Sequence, residues 1–473
     1  MHVRFGIAAL ITGFATANVS GLPHPYSRSE LVAGPVSATE LDSIIRREVV
    51  DKHLVGLSVG VMQDGKVIFA RGYGLRSIES KDTVTPETMF AIGSVTKQFT
   101  CSAMLVLDQE KKLSTSDPVA KYLPNLTRAA DITLLDLGQH VSGYRDYYPL
   151  DFVDREMQKP TTADSIMQEY ATRPLDFDPG TRWSYSNTNF IILGRVIEMV
   201  SGEPFGDFLA HRFFGPLNMT HTQFSPTQTD ARMARGYTSF ALGAPIPAAP
   251  EAEGWSSSAG AIWSTPSDLL SWDLGLVDGK VLSPASFHTL TTPRRLADGR
   301  STGYGCGDGV RDGGEAVVLT HGGAVSGFIA QNTVVPATRS AVVLLANTDF
   351  AAVDQLNQQL VSRLLPHVDV PAIQGAPALA AARAFLTGLQ DGKVDRTTLS
   401  PDFDAYLTPA LVTGARATLK QMGRLGDLRV TQTVERGGME VAILRFSLGS
   451  LEARALMYRT PDGKIQEFLM SRE

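Results

Sequence analysis

Cysteine is nearly missing from this chain: Cys101 and Cys306 are the only two in 473 residues. Two cysteines cannot form the multi-bridge framework of a small secreted scaffold. Each is expected as a small buried apolar residue. A single Cys101–Cys306 bridge stays open in an oxidising compartment, because sequence does not place the two sulfurs. Excess positive charge is missing too. A formal net charge of −6 and a pI near 5.9 leave no basic footprint for nucleic acid or an anionic membrane. The nine histidines show no His-x-x-x-His ligand spacing, so no metal or other cofactor is expected. Beyond the N-terminus there is no apolar run of the roughly 20 residues a membrane span needs. Internal repeats and low-complexity tracts are also lacking.

What is present describes a globular, exported chain. Hydrophobic residues make up 43% and charged ones 19%, which excludes a disordered polymer, and the length suggests two domains. His2 and Arg4 precede an apolar stretch, residues 5–14, and Ala15-Thr16-Ala17 fits a small-x-small cleavage pattern. Residues 1–17 are therefore expected to be a signal peptide cleaved after Ala17, with delivery to a bacterial periplasm.

Periodicity sketches the organisation. Residues 41–50 look helical, and Val55, Leu57, Val59 and Val61 alternate at strand period. Asp64-Gly65 then turns a hairpin whose second strand begins near Val67. Mostly helical and loop-rich sequence runs to about residue 235, and residues 241–254, rich in Ala and Pro, read as an exposed loop. Strands return at 317–319, 328–335 and 341–346, which suggests one sheet assembled from distant segments beside a helical cluster. Residues 366–377 read as a linker. Helices at 378–389 and 410–422 and strand runs at 428–435, 439–447, 451–459 and 464–471 then make a small α+β unit.

Chemistry concentrates in three short patterns. Ser94-Val95-Thr96-Lys97 sets a hydroxyl and an amine one turn apart on a helix expected to start at the serine. A lysine whose pKa is lowered by burial can take the serine proton, and a helix N-terminus favours a developing oxyanion. Tyr185-Ser186-Asn187 precedes an apolar helix at 190–200; its phenol can share a proton with Lys97 and Ser94, and its amide can meet both the lysine and a substrate carbonyl. His321-Gly322-Gly323 follows a strand, where glycines admit a substrate close to the backbone and a peptide N–H can face Ser94. A competing pattern, Gly56-Leu57-Ser58-Val59-Gly60, matches the nucleophile elbow of α/β-hydrolases, but that motif needs a helix after the serine and here the strand continues into the hairpin.

In this order, Ser94-x-x-Lys97, Tyr185-x-Asn187 and His321-x-Gly323 resemble the three boxes of the serine β-lactamase-like and penicillin-binding-protein-like hydrolases. That group includes class C β-lactamases, D-Ala-D-Ala carboxypeptidases, D-aminopeptidases and family VIII esterases. The similarity spans about residues 38–365. It implies an α+β, β-lactamase/transpeptidase-like fold: an antiparallel sheet flanked by helices, a helical subdomain, and the site in the cleft between them, with residues 378–473 a small α+β accessory domain. It also implies roles: Ser94 acylated, Lys97 and Tyr185 relaying the proton, Asn187 orienting substrate, and the N–H groups of Ser94 and Ala324 holding the oxyanion. His140, in His140-Val141-Ser142-Gly143, matches a structural stretch of that family.

One departure bears on substrate. The third box of β-lactamases and carboxypeptidases is usually Lys-Thr-Gly or Lys-Ser-Gly, and neither occurs here. His321, mostly neutral at pH 7, replaces a fixed cation. Loss of a charge-assisted hydrogen bond to a substrate carboxylate costs about 1.5–3 kcal/mol, roughly ten- to a hundred-fold in affinity. The expected substrate is thus a small ester, amide or peptide without that carboxylate. A carboxylesterase or amidase is the first expectation; a D-aminopeptidase, D-Ala-D-Ala carboxypeptidase or weak β-lactamase is the second. An acyl-binding sensor without turnover is the alternative of another class.

Overall fold

The computed structural model describes residues 36–148, 153–226, 230–240, 243–312, 316–365, 372–436 and 438–472. The expected signal peptide and residues 366–371 of the expected linker lie outside the described residues.

The large unit is built on a seven-stranded antiparallel sheet. Its strand order is Asp82–Thr83, Lys66–Ser77, Gly56–Gln63, Ser340–Ala346, Phe328–Val335, Val317–Val325 and Gly309–Asp312. The first and last long segments of this unit meet in its middle: Val59 pairs with Leu344 and Val61 with Val342. Two-residue alternation explains why this centre is buried on both faces. Leu57, Val59, Val61, Val342 and Leu344 pack with Leu41, Ile45, Leu356 and Leu360 of helices Ala38–Asp51 and Asp354–Val361. Ala341, Val343 and Leu345 face the other way, onto Leu269, Leu270 and Trp272. Each fully buried Leu, Ile or Val contributes about 1.5–3 kcal/mol. Ser58 is a buried residue of the central strand, paired with Leu345 and Gly72, so the apparent nucleophile elbow is sheet interior.

Sheet edges differ from the sequence expectation where they matter most. The strand expected at 317–319 runs on to Val325 and carries both Gly322 and Gly323. Its outer neighbour pairs only with Val317 to Thr320, so the edge from His321 onward is open to the cleft. Helix Pro266–Val277, with Thr265 capping Asp268 N and Pro266 at its first turn, closes the opposite face.

Cys101 and Cys306 are bonded, tying helix Thr96–Gln109, which carries Lys97, to the loop before Gly309–Asp312. Residues 378–472 form their own core around Phe385, Phe403, Phe446 and Met457, with four antiparallel strands in sequence order and helices Ala378–Asp391 and Pro409–Met422. The end of the expected linker belongs to this unit: Gln374 N donates to Pro461 O, and Arg459 reaches Ala376 O at 2.6 Å while paired with Glu440. Among the described residues no helix is long and apolar enough to cross a membrane.

Candidate active site

Ser94 does not begin the α-helix. It sits in a 3-10 turn, Gly93–Val95, and the α-helix starts at Thr96. The cause is Gly93, whose φ of +49° swings the chain under the sheet edge before it can wind regularly. A Cβ on Gly93 would fall 2.8 Å from Ala324 N, and one on Gly323 would fall 2.0 Å from Ile92 O and 3.1 Å from Ser94 N. Only glycines allow this approach, and it brings the backbone nitrogens of Ser94 and Ala324 together beside one cavity.

Lys97 is fully buried behind the serine. Its Nζ donates to Ser94 Oγ at 2.9 Å, to Asn187 Oδ1 at 2.8 Å and to Ala259 O at 2.8 Å. Burial lowers its pKa to about 7, with the Asp146 carboxylate pulling the other way. Two of its three partners are oxygens that only accept. A deprotonated Lys97 therefore keeps its two N–H bonds for Asn187 and Ala259 and turns its lone pair to the Ser94 hydroxyl. Geometry alone aims the base.

Tyr185 lines the same cavity as Ser94, near enough for the serine hydroxyl to draw the phenol pKa down against burial, and its ring centre lies 5.0 Å from the Lys97 ammonium. Burial raises its pKa above the usual phenol value, so it is a neutral hydroxyl able to pass a proton, while Lys97 is the group poised near neutrality. The alcohol and amine of one stretch and the phenol of another are thus brought to one place.

Asn187 makes its expected bond to Lys97 and lines the cavity, whereas His321 is placed otherwise. Asn187 gives its Nδ2 to Asp146 at 3.1 and 3.3 Å, and its backbone N binds Asp146 Oδ1 at 2.9 Å. The amide is held with its oxygen toward Lys97, so it braces the amine. His321 lies behind the strand edge, with Nδ1 bonded to Gly322 O at 2.6 Å and Nε2 to the Tyr304 hydroxyl at 2.8 Å. A carbonyl only accepts, so Nδ1 carries the proton and the ring is neutral. Burial and then Lys97 push its pKa down to about 3. Asp146 and Tyr304 were not singled out from sequence. Asp146, three residues past Gly143 and next to Arg145 among aromatics, reads in sequence as half of an ordinary surface charge pair.

The site opens into a cavity of about 620 Å³ lined by Ser94, Tyr185, Asn187, Gly323 and Ala324. Its described lining holds three carboxylates, Asp146, Asp349 and Asp354, and no lysine or arginine. A second cavity of about 380 Å³ adjoins it at Ser256, Gly260, Val325 and Ser326 and adds Glu251 and Glu253, again without a lysine or arginine. Glu251 is fixed by Tyr148 Oη at 2.7 Å and Ser326 N at 3.0 Å, so part of the expected exposed loop is pinned to the cleft. Among the described residues no group of three His, Cys, Asp or Glu side chains could hold a metal ion.

Comparisons with known proteins bear on the family and the fold. PbpX of Bacillus subtilis strain 168, named for a penicillin-binding protein, is 28% identical over 334 residues, 69% of this chain and 81% of that protein. A D-aminopeptidase of Brucella canis is 28% identical over 303 residues, 63% of this chain and 57% of that enzyme. The solved D-stereospecific amidohydrolase of a Streptomyces species superposes with a TM-score of 0.60 at 23% identity, covering 69% of this chain and 98% of that one. The beta-lactamase family profile matches residues 41–364, and with this fold the chain belongs to the beta-lactamase family of serine hydrolases.

Proposed function

We propose that the protein hydrolyses an ester or amide bond through an acyl-enzyme on Ser94, and that its substrate carries a positive charge and no carboxylate beside the scissile bond. Neutral Lys97 takes the Ser94 proton as Oγ attacks the carbonyl carbon. The N–H groups of Ser94 and Ala324 receive the oxyanion. Tyr185 passes a proton to the leaving oxygen or nitrogen as the tetrahedral intermediate collapses to the acyl-enzyme. Water enters, gives a proton to the same relay, and releases the acid and free Ser94.

The observation that carries the substrate reading is the sign of the cleft. Carboxylates line both cavities, the third-box histidine is neutral, and no fixed cation lines either space among the described residues. A low-dielectric cleft of one sign concentrates the opposite charge. A free amine, as on an amino-acid amide or ester, suits it, and a similar protein is named D-aminopeptidase. The Cys101–Cys306 bridge supports the further proposal that the chain is exported to an oxidising compartment.

A direct test compares D-alanine p-nitroanilide, its N-succinyl derivative and nitrocefin. The amine-bearing anilide should show the highest kcat/KM, by about tenfold or more over the two carboxylate-bearing probes. Equal or faster cleavage of nitrocefin overturns the substrate reading.

A further inference from the structure

We infer that His140 is the positioning residue for Tyr185, holding the phenol against Ser94 through a backbone bracket and a ring stack. The inference rests on the proposed relay through Tyr185 and extends it to a residue the relay does not touch.

His140 is completely buried and lies at φ +57°, a conformation that non-glycine residues rarely hold without a reason in the surrounding structure. There its carbonyl accepts from Ser184 N at 3.0 Å and its ring Nδ1 accepts from Ser186 N at 3.1 Å. The residues on both sides of Tyr185 are therefore bonded to this one histidine. Between them the Tyr185 ring rests on the imidazole, centroids 4.3 Å apart and planes tilted by 35°. Neighbours extend the same template. Val141 O accepts from Gly180 N at 2.8 Å, Gly143 O from Asp176 N at 2.9 Å, and Ser142 Oγ donates to Asn189 Oδ1 at 2.6 Å. The turn at 140–143 is thus a mould on which the segment from Asp176 to Asn189 is laid, with Tyr185 at its centre.

Tautomer logic separates this role from a base. Nδ1 accepts a backbone N–H, so the neutral ring carries its proton on Nε2 and its one lone pair is already used. Nε2 has no hydrogen-bond partner among the described residues. Burial, with Lys97 and His321 adding to it, holds the pKa well below the ordinary histidine value.

A double-mutant cycle on ester hydrolysis tests the assignment, using the wild type, Tyr185→Phe, His140→Asn and the double variant, each checked for folding by circular dichroism. Asparagine tolerates positive φ but supplies no ring to stack. His140→Asn should lower kcat about 10- to 100-fold with little change in KM, because a displacement near 1 Å at a reacting group costs that much. In the Tyr185→Phe background the same substitution should cost less than about twofold. If His140→Asn does not fold, His140→Phe, which keeps the ring and loses the acceptor, is run through the same cycle with the same expectation. Equal losses in both backgrounds, or no loss in the wild type, overturn the inference. A Tyr185→Phe enzyme with undiminished kcat overturns the relay itself, a separate failure visible in one arm of the cycle.

Discussion

Lys97 and Gln98 are neighbours on one helix and enter two different buried polar layers. Lys97 meets Ser94, Asn187 and Ala259, and its ammonium has a partner for every proton. Gln98 meets Asp308 Oδ1 at 2.6 Å and Asn332 Nδ2 at 3.2 Å, and Asn332 in turn reaches Asp273 Oδ1 at 2.8 Å. Burial acts on both layers by the same physics, pushing the amine down to about 7, Asp273 up to about 8 and Asp308 well above the carboxylate range. Access separates them. Ser94 faces a cavity of about 620 Å³, whereas Asp273 and Asn332 are sealed, with Asp273 Oδ2 and Asn332 Oδ1 unpartnered among the described residues. A shifted pKa marks a reactive group only where a reacting partner and a space for substrate meet it. The first layer is poised for chemistry; the second is a cost to stability.

Substitutions can break this contrast. The largest effect is expected from Lys97→Met, which should lower kcat/KM for an ester by about 10²–10⁴-fold. In the wild type the rate should rise with pH through about 7, as Lys97 loses its proton. A Lys97→Met enzyme that keeps both its rate and that pH profile removes the difference between the layers. Next comes Asp273→Asn, read as Tm against pH. The folded pKa near 8 exceeds the ordinary carboxylate value of 3.8, so the wild type should lose stability as pH rises from about 4 to about 8. The slope is at most about 1.4 kcal/mol per pH unit, and the asparagine variant, which mimics the protonated acid, should flatten it.

A smaller effect sharpens the catalytic side. Asp146→Ala leaves the Asn187 amide unheld and removes the charge that raises the Lys97 pKa. It should cost about tenfold in kcat and move the acid limb of the pH profile to lower pH. The smallest belongs to the surface: Lys159→Ala breaks an exposed pair with Glu156 and should change stability by less than about 1 kcal/mol in chemical denaturation. That contrast shows how much of the other effects comes from burial.

Local spacing made the serine and lysine legible, because residues three apart on a turn must meet. Tyr185 was legible through its box and the apolar helix after it. Ser58 was correctly set aside, because alternation around it left no room for a helix. Sequence misjudged contacts that depend on other loops. His321 was expected at the substrate, yet Tyr304, 17 residues earlier on a separate loop, takes its Nε2. Asn187 was expected at both the lysine and the substrate; its oxygen meets Lys97, and the unforeseen partner is Asp146, 41 residues earlier, which holds its nitrogen. The helix start slipped by two residues because the positive φ of Gly93 follows from tertiary crowding against Ala324. Cysteine pairing was unreadable, with the two residues 205 positions apart in sequence.

Intact-mass spectrometry of the protein mixed with an amine-bearing activated ester, followed by peptide mapping, asks the central question outright. Wild-type protein should gain the acyl mass on Ser94 during turnover, and Ser94→Ala should gain none and release no product. Product release from Ser94→Ala, or an acyl mass mapped to any other residue, would contradict the account.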